Sequence, residues 1–219
     1  LHLCSLLIKE FQLELRRKSV VAGLSLYLFS MVFISYLAFA LKQNFITPLV
    51  WSALFWITIL FTAINTVAKS FIGEKRGLEI YYYSIASPVD ILLSKIIYNF
   101  LLCLLLAITG YFLFTLFLND PVHDKLIFLT TLALASLGFA SSLTLLSGIA
   151  SKASNSNILM AVLSFPVVIS ILLMAIKITK NGMDGLEPNV SYSPLLSLLA
   201  INCLVTAISY LLFPFIWKN

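Results

Sequence analysis

The chain has 219 residues, of which 61% are hydrophobic and 11% charged, with a formal net charge of +5. A water-soluble domain carries about 25% charged residues, so this composition excludes an ordinary soluble protein and leaves too little polar sequence for a separate soluble domain. The positive charges fall between long apolar runs, which argues against a nucleic-acid surface and for a chain threaded through a bilayer.

Taken in order, the chain opens with Leu3, Leu6, Leu7 and Phe11 at helical spacing, interleaved with and followed by Lys9, Glu10, Glu14, Arg16, Arg17 and Lys18. This pattern predicts an amphipathic helix over 1–18 lying in the headgroup layer. Its charge, its position before a run long enough to span and the lack of a small-residue cleavage site afterwards predict no cleavable signal peptide. Apolar runs long enough to cross a bilayer follow at 20–41, 49–68, 96–118, 126–150, 158–176 and 195–217. Pro48 suits a first helical position, Pro166 is expected to kink or break the fifth span, and Pro214 sits near the end of the sixth. The stretch 177–193, with Gly182, Gly185 and Pro188, is expected to be the longest loop on its side, with a re-entrant helix left open.

Six spans put both ends on one side. That side holds ten of the basic residues, including Lys9, Lys75, Arg76 and Lys95, against four on the other (Lys42, Lys125, Lys177 and Lys180). The positive-inside rule then predicts cytoplasmic termini.

Dense charge between two spans occurs in 69–95. Glu74-Lys75-Arg76-Gly77-Leu78-Glu79 is followed by Ile80, Tyr81, Tyr82 and Tyr83, a run too short to span. Gly73 and Gly77 permit a bend. Ser87 is a good N-cap, Pro88 suits the first helical position, and Asp90 meets the positive end of a new helix. The chain is expected to descend, run flat as a crossbar and rise again, with the third helix beginning at Pro88. An ordinary charged loop before a capped helix is the plainer reading of the same residues.

Inside the spans, Thr58, Thr62, Asn65 and Lys69 share one helical face. They form either a conduit wall or partner face, or interhelical hydrogen-bond glue with Lys69 snorkelling to the surface. Ser136, Ala140, Thr144 and Gly148 make a small-residue ladder that permits close helix packing, within the subunit or between two copies. Asn99 and Asn202 each need a hydrogen-bond partner. No phosphate loop, G-x-G-x-x-G, H-E-x-x-H or Cys/His cluster occurs, so no catalytic, nucleotide or metal site is expected on this chain. His123 reads as an exposed turn histidine, and Cys4, Cys103 and Cys203 as buried free thiols. The spans bear no mid-membrane carboxylate, which argues against a proton- or sodium-coupled carrier.

The amphipathic lead-in, the six spans, the charged turn at Glu74–Glu79 and Ser87-Pro88-Val89-Asp90 at the start of the third helix together resemble the membrane subunits of ABC-2-type transporters. More narrowly, Leu7-Ile8-Lys9-Glu10-Phe11-Gln12-Leu13-Glu14-Leu15-Arg16-Arg17 and Ala86-Ser87-Pro88-Val89-Asp90 resemble the haem exporter B subunit of bacterial cytochrome c maturation. The resemblance implies a single permease domain over 1–219, all-α, in the bacterial inner membrane. It also implies a likeness of 69–95 to a coupling segment seated on a separate ATPase that carries ATP and Mg. Glu74, Arg76 and Glu79 would then give charge pairing there, Leu78, Ile80, Tyr81 and Tyr82 the apolar anchor, and Ser87, Pro88 and Asp90 the start of the rising helix. The triple tyrosine Tyr81-Tyr82-Tyr83 departs from the plain family pattern. The further partners implied are a haem-handling membrane subunit, a small single-span subunit and a second copy of this chain, with haem handled by the complex and delivered to a periplasmic chaperone. A permease for a lipid, polysaccharide or drug, and a scaffold that transports nothing, are the rival readings.

Overall fold

A computed structural model describes residues 6–12, 18–40, 46–67, 69–72, 87–151 and 156–218. Among them every regular element is helical: α1 over 6–12, α2 Lys18–Ala40, α3 Pro48–Val67, α4 Lys69–Ile72, α5 Pro88–Leu118, α6 Lys125–Ser151, α7 Ser156–Met183 and α8 Pro188–Lys218. Six of these are long and apolar enough to cross a membrane. The protein is a multi-pass membrane protein, and its fold is that of a helical permease with an additional N-terminal helix.

α6 is the pillar. It packs against α3, α4, α5, α7 and α8, and most of its length is buried. Its sequence explains this position: Ala135, Ser136, Ala140, Ser141, Ser142, Thr144, Ser147 and Gly148 keep its surface small, so neighbouring backbones come close. α2 lies at the edge against α3 and α5, with Leu26, Phe29, Phe33 and Ile34 turned outward. In a bilayer such an apolar exterior is the surface that lipid covers.

Between α5 and α6 the turn is tied by its own side chains. Asn119 ends α5 at a φ of 63° and a ψ of 170°, a region that residues other than glycine rarely adopt. Asp120 then accepts from the Tyr111 hydroxyl at 2.9 Å and from the Val122 amide at 3.1 Å. At the same end of the bundle Trp51, Phe55, Phe114 and Phe128 form an interlocked aromatic layer, and the Trp56 indole donates to Thr179 at 2.9 Å.

The stretch expected as a loop over 177–193 is instead mostly helix. α7 runs on to Met183 because Ile178, Thr179 and Met183 remain buried in the core. It closes at Gly185, whose φ is 67°, with the Leu186 amide donating back to the Asn181 carbonyl at 3.3 Å. That is the pattern in which a glycine just past the helix satisfies the last carbonyls. Pro188 opens α8 directly, so the turn is four residues and contains no re-entrant helix, and Pro194 lies within α8 rather than before it. Pro166 likewise lies inside a continuous α7.

Candidate coupling site

The third spanning helix begins as its first residues dictate. Ser87 is extended at φ −69° and ψ 147°, accepts from the Asp90 amide at 3.1 Å and donates its hydroxyl proton to Asp90 Oδ2 at 2.7 Å. Pro88 occupies the first turn, where the missing amide costs nothing, and the Asp90 carboxylate sits at the positive end of the helix.

From the next residue on, α5 turns inward a face that carries Ile91, Leu92, Lys95, Ile96 and Asn99, all buried. Lys95 is only 2% exposed. An ammonium so enclosed needs compensating partners, and among the described residues Glu10, Ser70 and Phe71 converge on it. Its Nζ lies 3.4 Å from Glu10 Oε1 of α1, donates to the Ser70 carbonyl of α4 at 3.1 Å, and stands 4.9 Å from the centre of the Phe71 ring.

Polar groups of the Lys69–Ile72 stretch are met by side chains of other helices. Lys95 meets the Ser70 carbonyl, and the Ser147 hydroxyl of α6 accepts from the Phe71 amide at 3.1 Å. Asn99, four residues beyond Lys95 and on the same face, donates from Nδ2 to Ser70 Oγ at 3.1 Å and to Thr144 Oγ1 at 2.7 Å. An apolar cap of Phe71, Ile91, Leu92, Ile96 and Phe213, with Leu6 packed against it, covers this polar hub. Phe11 of α1 meets Tyr98 edge to face at 5.1 Å.

The hub therefore joins α4 and α5, the described helices on either side of residues 73–86, and fastens both to α1 and α6.

Of the residues singled out by sequence for ATPase coupling, Ser87, Pro88 and Asp90 form the helix start described above. Glu74, Arg76, Leu78, Glu79, Ile80, Tyr81 and Tyr82 lie outside the described residues. In the polar stripe, Thr58 and Thr62 are buried and Asn65 is exposed. The Thr62 hydroxyl donates to its own helix at the Thr58 carbonyl, 2.7 Å away. Lys69 opens α4, and its side chain lies outside the described residues. The ladder residues Ser136, Ala140, Thr144 and Gly148 are all buried inside this one chain, with Thr144 serving Asn99 and Gly148 facing Phe213 and Phe71. Asn202 donates to the Leu134 carbonyl at 2.8 Å. Among the described residues no cluster of three or more His, Cys, Asp or Glu side chains could hold a metal ion.

Sequence reading missed the centre of the hub. Lys95 counted only as one more basic residue and Glu10 only as part of a polar face. The available signal was that Lys95 is set among Leu92, Leu93, Ile96 and Ile97 and is followed four residues later by the intramembrane Asn99.

Six apolar spans around a small-residue pillar, with a polar hub gathered at the end where α1 docks, define a permease-type membrane subunit. The family model for the CcmB protein matches residues 1–216, and the chain belongs to that family, the haem exporter protein B of cytochrome c maturation. It is thus a membrane component of a haem-export ABC system. Searches of curated proteins and of solved structures gave no match.

Proposed function

We propose that this subunit couples ATP hydrolysis by a separate ATPase subunit to haem delivery, or to release of the haem chaperone, on the periplasmic side of the inner membrane. The observation that carries this reading is the double attachment at the hub: Asn99 and Lys95 of α5 both bond Ser70 of α4. The segment between those helices consequently has stiff, buried anchors on both flanks. Such a framed segment suits transmission of movement, because displacement at its surface cannot be absorbed by slack at its roots.

In this mechanism Glu74, Arg76 and Glu79 pair with charges on the ATPase, and Leu78, Ile80, Tyr81 and Tyr82 fill its groove. Aromatic and arginine side chains are the usual energetic centres of such contacts. Closure of two ATPase subunits on ATP and Mg moves the segments of two copies of this chain, and α5 carries the displacement inward from Pro88. The ten-to-four bias of basic residues supports cytoplasmic placement of both termini and of this segment. The haem-handling subunit and the small single-span subunit complete the assembly. Since the α6 ladder is buried within the chain, a homodimer would use other helices.

The test is affinity purification of the complex from native membranes with Glu79→Ala and Tyr82→Ala combined. The expected result is loss of the ATPase with normal insertion of the subunit and retention of its haem-handling partners. Full recovery of the ATPase with the double variant would sink the proposal. Recovery of an ATPase from the unaltered chain without haem-handling partners would keep the permease and remove haem as its business.

A further inference from the structure

α1 makes a specific attachment to the bundle. Its Glu10 side chain turns inward to the Lys95 ammonium and Phe11 leans on Tyr98, while Ile8 remains 57% exposed. The same ammonium bonds the α4 carbonyl that precedes the 73–86 segment. One buried charge thus binds the N-terminal helix, α4 and the first turns of α5.

We propose that Lys95 is a positioning residue for coupling, and that through its bond to Glu10 the N-terminal helix α1 moves as one body with α4 and the start of α5. The proposal rests on the coupling reading above and adds α1 to the moving part. Its physical basis is that withdrawing a carboxylate from a buried cation is disfavoured, and Glu10 stands 3.4 Å from Lys95 and 3.1 Å from Lys9 of its own helix. Displacement of α5 is therefore expected to draw α1 along. Asn99 holds α4 to α6 on the other flank, so the movement of α1 and the movement of the segment are two ends of one lever.

Two readouts in the intact complex test this. Spin labels at Ile8→Cys and Ile97→Cys, both exposed positions, report the separation of α1 from α5 without any reference to the ATPase. Lys95→Met keeps the apolar stem and removes the charge, so it spares the packing. It is expected to broaden that distance distribution, and Lys95→Arg, which can still donate to both oxygens, to preserve it. In the same complexes Lys95→Met is expected to lower ATP turnover several-fold with the ATPase still bound in full amount and its half-saturating ATP unchanged. Lys95→Arg restores most of the turnover, and Glu10→Gln adds no further loss to Lys95→Met. An unchanged distance distribution in Lys95→Met, or a combined variant clearly worse than Lys95→Met, overturns the proposal, as does unchanged turnover. If no ATPase binds even the unaltered chain, the coupling reading falls, and the spin-label distances still decide whether Lys95 holds α1.

Discussion

Phe213, near the end of α8, packs its ring 5.3 Å from that of Phe71 in α4 and does so directly over Gly148 of α6. A Cβ built at position 148 would stand 3.0 Å from Phe213 Cε2 and 3.6 Å from Phe71 Cδ2. Gly148→Ala therefore needs a small ring shift and is expected to be tolerated. Gly148→Leu must evict Phe213, an overpacking that costs about 1–3 kcal/mol. Thermal unfolding of the purified subunit should show a clear drop for Gly148→Leu and partial recovery when Phe213→Ala is added. Equal melting temperatures for the glycine and leucine forms would contradict the packing.

A second close approach joins α6 and α8 at mid-span. At Gly138 an added Cβ would fall 2.5 Å from Asn202 Oδ1 and 3.0 Å from Ile171 Cδ1. The asparagine is not free to swing away, because its amide holds the Leu134 carbonyl. Gly138→Ala is expected to break that bond and destabilise the protein by about 1–3 kcal/mol. Asn202→Ala alone should cost less, about 1 kcal/mol, as intramembrane hydrogen bonds generally do. Combined, the two changes should be less harmful than their sum, measured as melting temperatures in a double-mutant cycle.

For Asn99 the expectation is loss of two bonds at once. Asn99→Leu removes the donor to Ser70 and Thr144, at about 1–2 kcal/mol. Thr144→Val should remove part of that stability by itself and little more in the Asn99→Leu background. Fully additive effects would mean that the two side chains do not depend on each other.

Ser87→Ala deletes the acceptor for the Asp90 amide and should weaken the first turn of α5 by about 1 kcal/mol. Hydrogen exchange at the amides following Pro88 is the direct measurement: faster exchange is expected there, with the middle of α5 unchanged. A global change instead would mean that the cap supports more than its own turn.

What could be read in advance divides along physical lines. The start of α5 was legible because a cap acts locally: Ser87, Pro88 and Asp90 satisfy one another within four residues. The end of α7 was misread for the opposite reason. Lys177, Lys180 and Gly182 look like loop residues by type, yet Ile178 and Met183 find buried places among other helices, and that burial keeps the helix intact. Gly185 and Pro188 mark the true boundary, a glycine just past one helix and a proline just inside the next. Lys95 was the deepest omission. Neither its neighbours in sequence nor its residue type reveals that Glu10 and Ser70 will lie against it, since those contacts exist only once α1, α4 and α5 have come together.

The pillar helix has a consequence for how this chain comes to be made. α6 turns Thr131, Ser136, Ser141, Ser142, Thr144 and Ser147 toward its neighbours, and a helix so lined is a poor solitary guest in hydrocarbon. α7 and α8, which follow it from the ribosome, supply much of the wall that those hydroxyls face. The first half of the molecule can settle into the bilayer as it emerges, whereas the centre acquires its proper surroundings only when the last two helices arrive. A chain cut short after α6 would leave these hydroxyl-bearing residues facing lipid and present the membrane quality-control machinery with an unfinished protein.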